Sequence, residues 1–101
     1  MRDPRDIPTM AELRVEIDAL DRELMTLLGR RARLIDRAAE LKPGEGLPAR
    51  TNDRVAAVIA NARANAEEHG VDPDVAENLW HILIEAAIAH EEAVMAPTKD
   101  T

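Results

Sequence analysis

The chain has 101 residues, 20 acidic against 13 basic, a formal charge of -7 and no cysteine. That length holds one domain, and 46% apolar with 33% charged content suits a soluble helical protein. The acidic balance argues against nucleic acid or an anionic membrane as partner. Serine, tyrosine, phenylalanine and glutamine are also absent, so disulfides, cysteine metal sites and serine or cysteine nucleophiles are excluded together.

Residues 1–8, with Pro4 and Pro8 among charges, read as an extended lead-in. Thr9 and Glu12 then have the spacing of a capping box. From Thr9 to Leu41 there is no proline and one glycine, Gly29. Apolar residues recur at Leu13, Ile17, Leu20, Leu24, Leu27/Leu28, Ile35, Ala38 and Leu41, which predicts one helix with one buried face. Such a helix would be about 50 Å long, against a radius of gyration near 13 Å for a compact chain of this size. Self-association is the expected remedy.

Pro43, Gly44, Gly46 and Pro48 break the periodicity into a short loop. A second helix is expected to start between Thr51 and Asp53, to bury Val55, Val58, Ile59, Ala62 and Ala66, and to stop at Gly70. Asp72 followed by Pro73 pairs an N-cap with a first-turn proline and starts a third helix running to about Met95. That helix has two usable faces, one of Val75, Leu79, Ile82, Leu83 and Ala86, the other of Ile84, Ala87, Ile88 and Glu91. The fold class is therefore all-α: one long and two shorter helices in a single domain over residues 9–96, with a loose tail over 97–101. No apolar stretch of about 18 residues and no cationic leader is present, so neither a spanning helix nor a signal peptide is expected, and the cytoplasm is the default compartment.

Arg31 takes a slot in the apolar stripe where another leucine belongs. A guanidinium cannot escape burial by losing its proton, so an acid or an anionic ligand should face it. Lys42 follows eleven residues later, a net rotation of about 20°, so both cations leave one face of the helix. Arg14 lies 17 residues before Arg31, about 25 Å away along the axis and about 100° around it. One helix cannot bring Arg14 to the same small ligand, whereas an antiparallel second copy can. The charges thus point to a homodimer binding a small dianion. Spacing alone leaves open that Arg31 and Lys42 merely snorkel, with stems packed and charges in water.

The other polar residues carry less. Arg30 and Arg33 read as solvated or paired one turn away. Arg54, in the first turn of the second helix, opposes the helix dipole and either meets a ligand or pairs with Asp53. His81 and Glu85 have the i, i+4 spacing of metal ligands, but two residues make no closed site, so a surface pair is expected and no metal. His69 and His90 read as isolated and exposed, and Trp80 as core. Glu91 ends an apolar face, where dehydration would favour its protonated form; the alternative is a solvated glutamate beside Glu92.

Leu13-Arg14-Val15-Glu16-Ile17-Asp18-Ala19-Leu20-Asp21, then Arg30-Arg31, then Lys42, resembles the all-helical chorismate mutases and the related isochorismate pyruvate lyases. The resemblance spans roughly residues 9 to 95 and is strengthened by Gly70-Val71-Asp72-Pro73 and Ile82-Leu83-Ile84-Glu85. It implies an intertwined helical homodimer in which each active site borrows one arginine, here Arg14, from the partner. Arg31 and Lys42 would grip the substrate's carboxylates and ether oxygen, Arg54 would assist a carboxylate, and Thr51, Ala87 and Glu91 would complete the binding surface. The implied reaction is the pericyclic rearrangement of chorismate to prephenate, which needs neither nucleophile nor cofactor.

Glu91 stands where many members have glutamine, and it donates to the ether oxygen only when protonated. Two further departures stand out: Val55, where many mutases carry a glutamate, and Thr51, where they carry an acid. The stretch Asp53-Arg54-Val55-Ala56-Ala57-Val58, with Arg2-Asp3-Pro4, looks more like the lyase branch, which eliminates pyruvate from isochorismate to leave salicylate. Mutase activity is the favoured expectation and lyase activity the alternative. A non-catalytic helical dimer with a regulatory or scaffold role is the reading from another class.

Overall fold

A computed structural model describes residues 2–96. Met1 and the expected tail over residues 97–101 lie outside the described residues. Three α-helices carry the fold, α1 (Met10–Leu41), α2 (Asn52–His69) and α3 (Pro73–Met95), with 3₁₀ turns at Pro4–Asp6 and Pro43–Glu45. Among the described residues there is no strand. No helix is long and apolar enough to cross a membrane. The chain divides into two compact units, one ending at Arg33 and the other starting at Leu34.

In the first unit, the lead-in is not extended throughout. Asp3 accepts from Arg5 N at 2.9 Å and winds Pro4–Asp6 into its turn, while Arg2 reaches Glu16 at 3.2 Å and Glu12 at 3.5 Å. Thr9 caps α1 through Oγ1, accepting from Glu12 N at 3.2 Å. The capping box is only half made, because the Glu12 carboxylate turns to Arg2. The predicted stripe is present in this unit but uncovered: Leu13 and Leu28 are partly buried, whereas Leu20, Leu24 and Leu27 remain 52%, 52% and 55% exposed. No described residue up to Arg33 is buried.

The second unit holds every buried residue among those described: Ala39, Ala49, Ala62, Ala66, Ala76, Ile84, Ile88 and Glu91. Ala62 and Ala66 of α2 and Ala76 of α3 are small, which suits close approach of the two helices. Ile84 and Ile88 form the apolar centre with Ala49, flanked by Val55, Val58, Ile59 and Met95. Gly70 ends α2 in the left-handed region (φ 73°), and Ala66 O accepts from both Gly70 N and Val71 N, a closure that suits glycine. Asp72 then caps α3 by accepting from Asp74 N at 2.8 Å, with Pro73 in the first turn as expected.

Of the two faces expected on α3, the one with Ile84, Ala87, Ile88 and Glu91 turns inward, while Val75, Leu79 and Ile82 are exposed. Trp80 is only partly buried, contrary to the expectation that it forms core. Arg63 joins α2 to α3 by donating to Asp74 at 2.9 Å and Glu77 at 3.2 Å.

Candidate functional site

Lys42 continues the helical bonding of α1 by one residue, its N–H donating to Ala38 O at 2.9 Å. The chain then folds back: Lys42 O accepts from Glu45 N at 3.1 Å and from Leu47 N at 2.9 Å, and Gly46 turns with φ 70°. This compact turn returns Ala49 to the side chain it left. Lys42 Nζ donates to Ala49 O at 2.6 Å and lies 3.1 Å and 3.3 Å from the two carboxylate oxygens of Glu91.

Both charges are largely withdrawn from water, with side-chain exposures of 19% for Lys42 and 4% for Glu91. Glu91 is brought there by α3, two turns after Ile84 and on the same face. The expectation that Glu91 is dehydrated holds. The setting is not apolar alone, because the Lys42 ammonium stands against the carboxylate. Burying either charge alone would be costly, and together they compensate. An ammonium has three donors, and three oxygens stand round it, Ala49 O and the two of Glu91.

Thr51 precedes α2 as its N-cap. It is partly buried, and its side chain makes no cap hydrogen bond, unusual for a threonine in that position. The helix is started instead by the Thr51 carbonyl, which accepts from Val55 N at 3.0 Å, so the hydroxyl is not spent on the backbone. Ala87 is partly buried one turn before Glu91. Arg54 is exposed, and among the described residues of this unit no acid pairs with it, Asp53 included.

The remaining two candidates belong to the first unit. Arg14 is exposed and Arg31 is partly buried, and no acid of that unit lies within ion-pair distance of either. The acid expected to face Arg31 is thus not found there, although the guanidinium keeps some contact with water. Arg30 and Arg33 are solvated.

Three side chains behave differently from their sequence-level reading. His81 contacts Glu77 at 3.7 Å rather than Glu85. His90 is exposed but not isolated, since its Nε2 lies 2.5 Å from Asp36. Arg50, which no motif marked, donates to Glu85 at 2.6 Å. That hydrogen bond is the foremost reason the Glu85 carboxyl is held below the usual carboxylate range; the charges of Arg50 and His81 act the same way against partial desolvation. Among the described residues no group of acids and histidines is arranged to hold a metal ion.

A lysine largely withdrawn from water and aimed by fixed partners suits recognition of an oxygen anion or ether, and comparison with known proteins gives this a family setting. The family described as chorismate mutase type II matches residues 13–92. The chain belongs to that family. Its relatives include the T-protein of Haemophilus influenzae, 33% identical over 82 residues, covering 81% of this chain but only 22% of that protein. The isochorismate pyruvate lyase of Pseudomonas aeruginosa is 34% identical over 92 residues, covering 90% of this chain and 89% of that one. The chorismate mutase of Methanocaldococcus jannaschii is 29% identical over 94 residues, 93% and 95% of the two chains. The chorismate mutase match runs from the start of the motif around Arg14 to just past Glu91, so it takes in all seven candidate site residues.

Proposed function

We propose that the protein is a chorismate mutase, converting chorismate to prephenate in a cationic pocket, and that its active form is a homodimer. The observation that carries the reading is the Lys42 ammonium, largely withdrawn from water and fixed by Ala49 O and Glu91.

The rearrangement breaks the ether C–O bond as a C–C bond forms within one molecule, so no proton, nucleophile or electron acceptor is required. The protein's tasks are to hold the compact diaxial conformer and to meet the negative charge that grows on the ether oxygen. Lys42 serves the oxygen. Arg31, with Arg54 at the edge, serves the carboxylates, and Thr51 and Ala87 shape the wall. A contact that strengthens as the ether bond breaks raises turnover rather than ground-state affinity. Glu91 is the counter-ion that holds the ammonium in place.

Arg14 is assigned to the active site of the partner subunit. The half-exposed Leu20, Leu24 and Leu27, and the absence of any buried residue up to Arg33, support a second copy as the cover for this face. Mixing tests this directly. Arg14→Ala and Arg31→Ala should each be inactive alone. In an equilibrated equimolar mixture half the dimers are mixed, and one of the two sites in each carries neither lesion. Activity should then return to about a quarter of wild type in a two-fold symmetric dimer. A mixture as inactive as its components would overturn the shared site.

The lyase reading is favoured by the likeness to the P. aeruginosa isochorismate pyruvate lyase, which extends over most of both chains. Incubating the purified protein separately with chorismate and with isochorismate decides the matter. Prephenate from chorismate supports the mutase, salicylate and pyruvate from isochorismate alone supports the lyase, and no product from either leaves a non-catalytic dimer.

A further inference from the structure

Lys42 is aimed chiefly by a backbone carbonyl, since the 2.6 Å bond to Ala49 O is shorter than either approach to Glu91. Three contacts hold the segment around that carbonyl. The Ala49 methyl packs in the core with Ile84 and Ile88, Arg50 donates to Glu85 of α3 at 2.6 Å, and Thr51 O starts α2 by accepting from Val55 N. The first is a non-directional apolar contact and the last acts two peptides along. Only the Arg50 contact bears on the peptide that matters, because Ala49 C=O and Arg50 N–H share one rigid plane. Tethering the Arg50 side chain to α3 limits rotation of that plane. The same helix supplies Glu91, so both supports of the ammonium are referred to α3, one directly and one through Glu85.

We propose that the surface ion pair Arg50–Glu85 is a positioning device for Lys42, keeping the Ala49 carbonyl where it points the ammonium at the reacting oxygen. This rests on the assignment of Lys42 to the substrate's ether oxygen. Neither Arg50 nor Glu85 touches the substrate. Both are substantially exposed, with side chains 44% and 57% accessible, so the pair contributes little to global stability. Its effect is on geometry, where a displacement of an ångström costs up to about a hundredfold in rate.

The test uses Glu85→Gln and Arg50→Gln in the full chain, the charge-swapped double variant Arg50→Glu with Glu85→Arg, and Glu85→Gln placed on Lys42→Ala. Thermal unfolding should stay close to wild type in all variants that keep Lys42. In the single variants kcat should fall about tenfold with KM little changed, the signature of a contact made at the transition state. The swap should recover part of the loss. On the Lys42→Ala background Glu85→Gln should cost nothing further, because no ammonium remains to be aimed.

Single variants with wild-type kcat, or a full additional loss on the Lys42→Ala background, would overturn the proposal. The nitrogen and proton resonances of the Lys42 ammonium give a second readout, independent of substrate. They should move or broaden in Glu85→Gln, and an unchanged signal would also overturn it. If the wild-type protein converts neither chorismate nor isochorismate, the assignment of function fails, while these resonances still decide whether the pair positions Lys42.

Discussion

The two halves of the chain differ in what each encloses. From Leu34 onward a small core closes and the one buried acid among the described residues has its counter-ion: Ile84 and Ile88 are covered and Glu91 meets Lys42 at 3.1 Å, while Leu34, Leu79 and Ile82 stay exposed. Up to Arg33 no described residue is buried, Leu20, Leu24 and Leu27 stand half in water, and Arg14 and Arg31 find no acid in their own unit. The second unit has a core of its own and the first has none, and the proposed second copy would supply that missing cover.

The largest expected effect comes from spoiling the uncovered face. Leu20→Asp combined with Leu24→Asp would be nearly harmless in a self-sufficient monomer, because exposed substitutions usually change stability by only about 0.5 kcal/mol. In an intertwined dimer the same pair places two carboxylates in an interface core, so the expected outcome is a monomeric or unfolded chain with no detectable turnover. Sedimentation and activity measured on one sample decide it. An active, wild-type-like protein would dissolve the contrast between the two units.

Next comes the compensated pair. Lys42→Met leaves Glu91 buried without its counter-charge, which should cost about 3–5 kcal/mol of stability, and it removes the proposed donor to the ether oxygen, which should lower kcat by about 10²–10³. Adding Glu91→Leu should restore most of the stability and none of the activity, since well-packed apolar replacement of a buried pair is often neutral. Denaturant melts and kinetics on the same two variants separate the structural from the chemical share of this ion pair.

Glu91→Gln sharpens the comparison from the chemical side. The amide keeps the shape and an acceptor oxygen for Lys42 but carries no counter-charge. It leaves the Lys42 ammonium uncompensated in the empty site, which should lower both stability and the KM for a dianionic substrate. Melts and KM unchanged from wild type would remove the charge of Glu91 from both roles.

The helices were legible because their signals are local. Thr9, Gly70 and the Asp72-Pro73 pair act on the backbone within one turn, and each marks a boundary within a residue or so of where the helix begins or ends. The inward face of α3 followed from periodicity, and Glu91 from its place at the end of that face. The nearness of Lys42 to Glu91 was not legible from spacing, because it depends on the turn over Pro43–Glu45 folding Ala49 back onto Lys42. Arg50 and Glu85 were invisible as a pair for the same reason: 35 positions apart, they meet only through the packing of α2 and α3. Capping and pairing choices also compete among near neighbours, which is why Glu12 went to Arg2 and His81 to Glu77.

The smallest effect tests that last pair where it is weakest, in acid. Arg50 holds the Glu85 carboxyl below the usual carboxylate range, foremost by its hydrogen bond. A group whose folded value is lowered contributes its stabilisation above its ordinary value, and loses it as pH falls through the lowered one. The Arg50–Glu85 contact should therefore be fully present at neutral pH, persist through the range where free glutamates protonate, and open only below it. Carbon-detected titration of the Glu85 carboxyl should show a midpoint below that of the solvated glutamates, returning to theirs in Arg50→Gln. The Ala49 carbonyl resonance should shift together with Glu85 in the wild type and become insensitive to acid in the variant. A carbonyl that ignores the titration of Glu85 would leave the pair an ordinary surface contact, and Lys42 would owe its direction to the core packing of Ala49 alone.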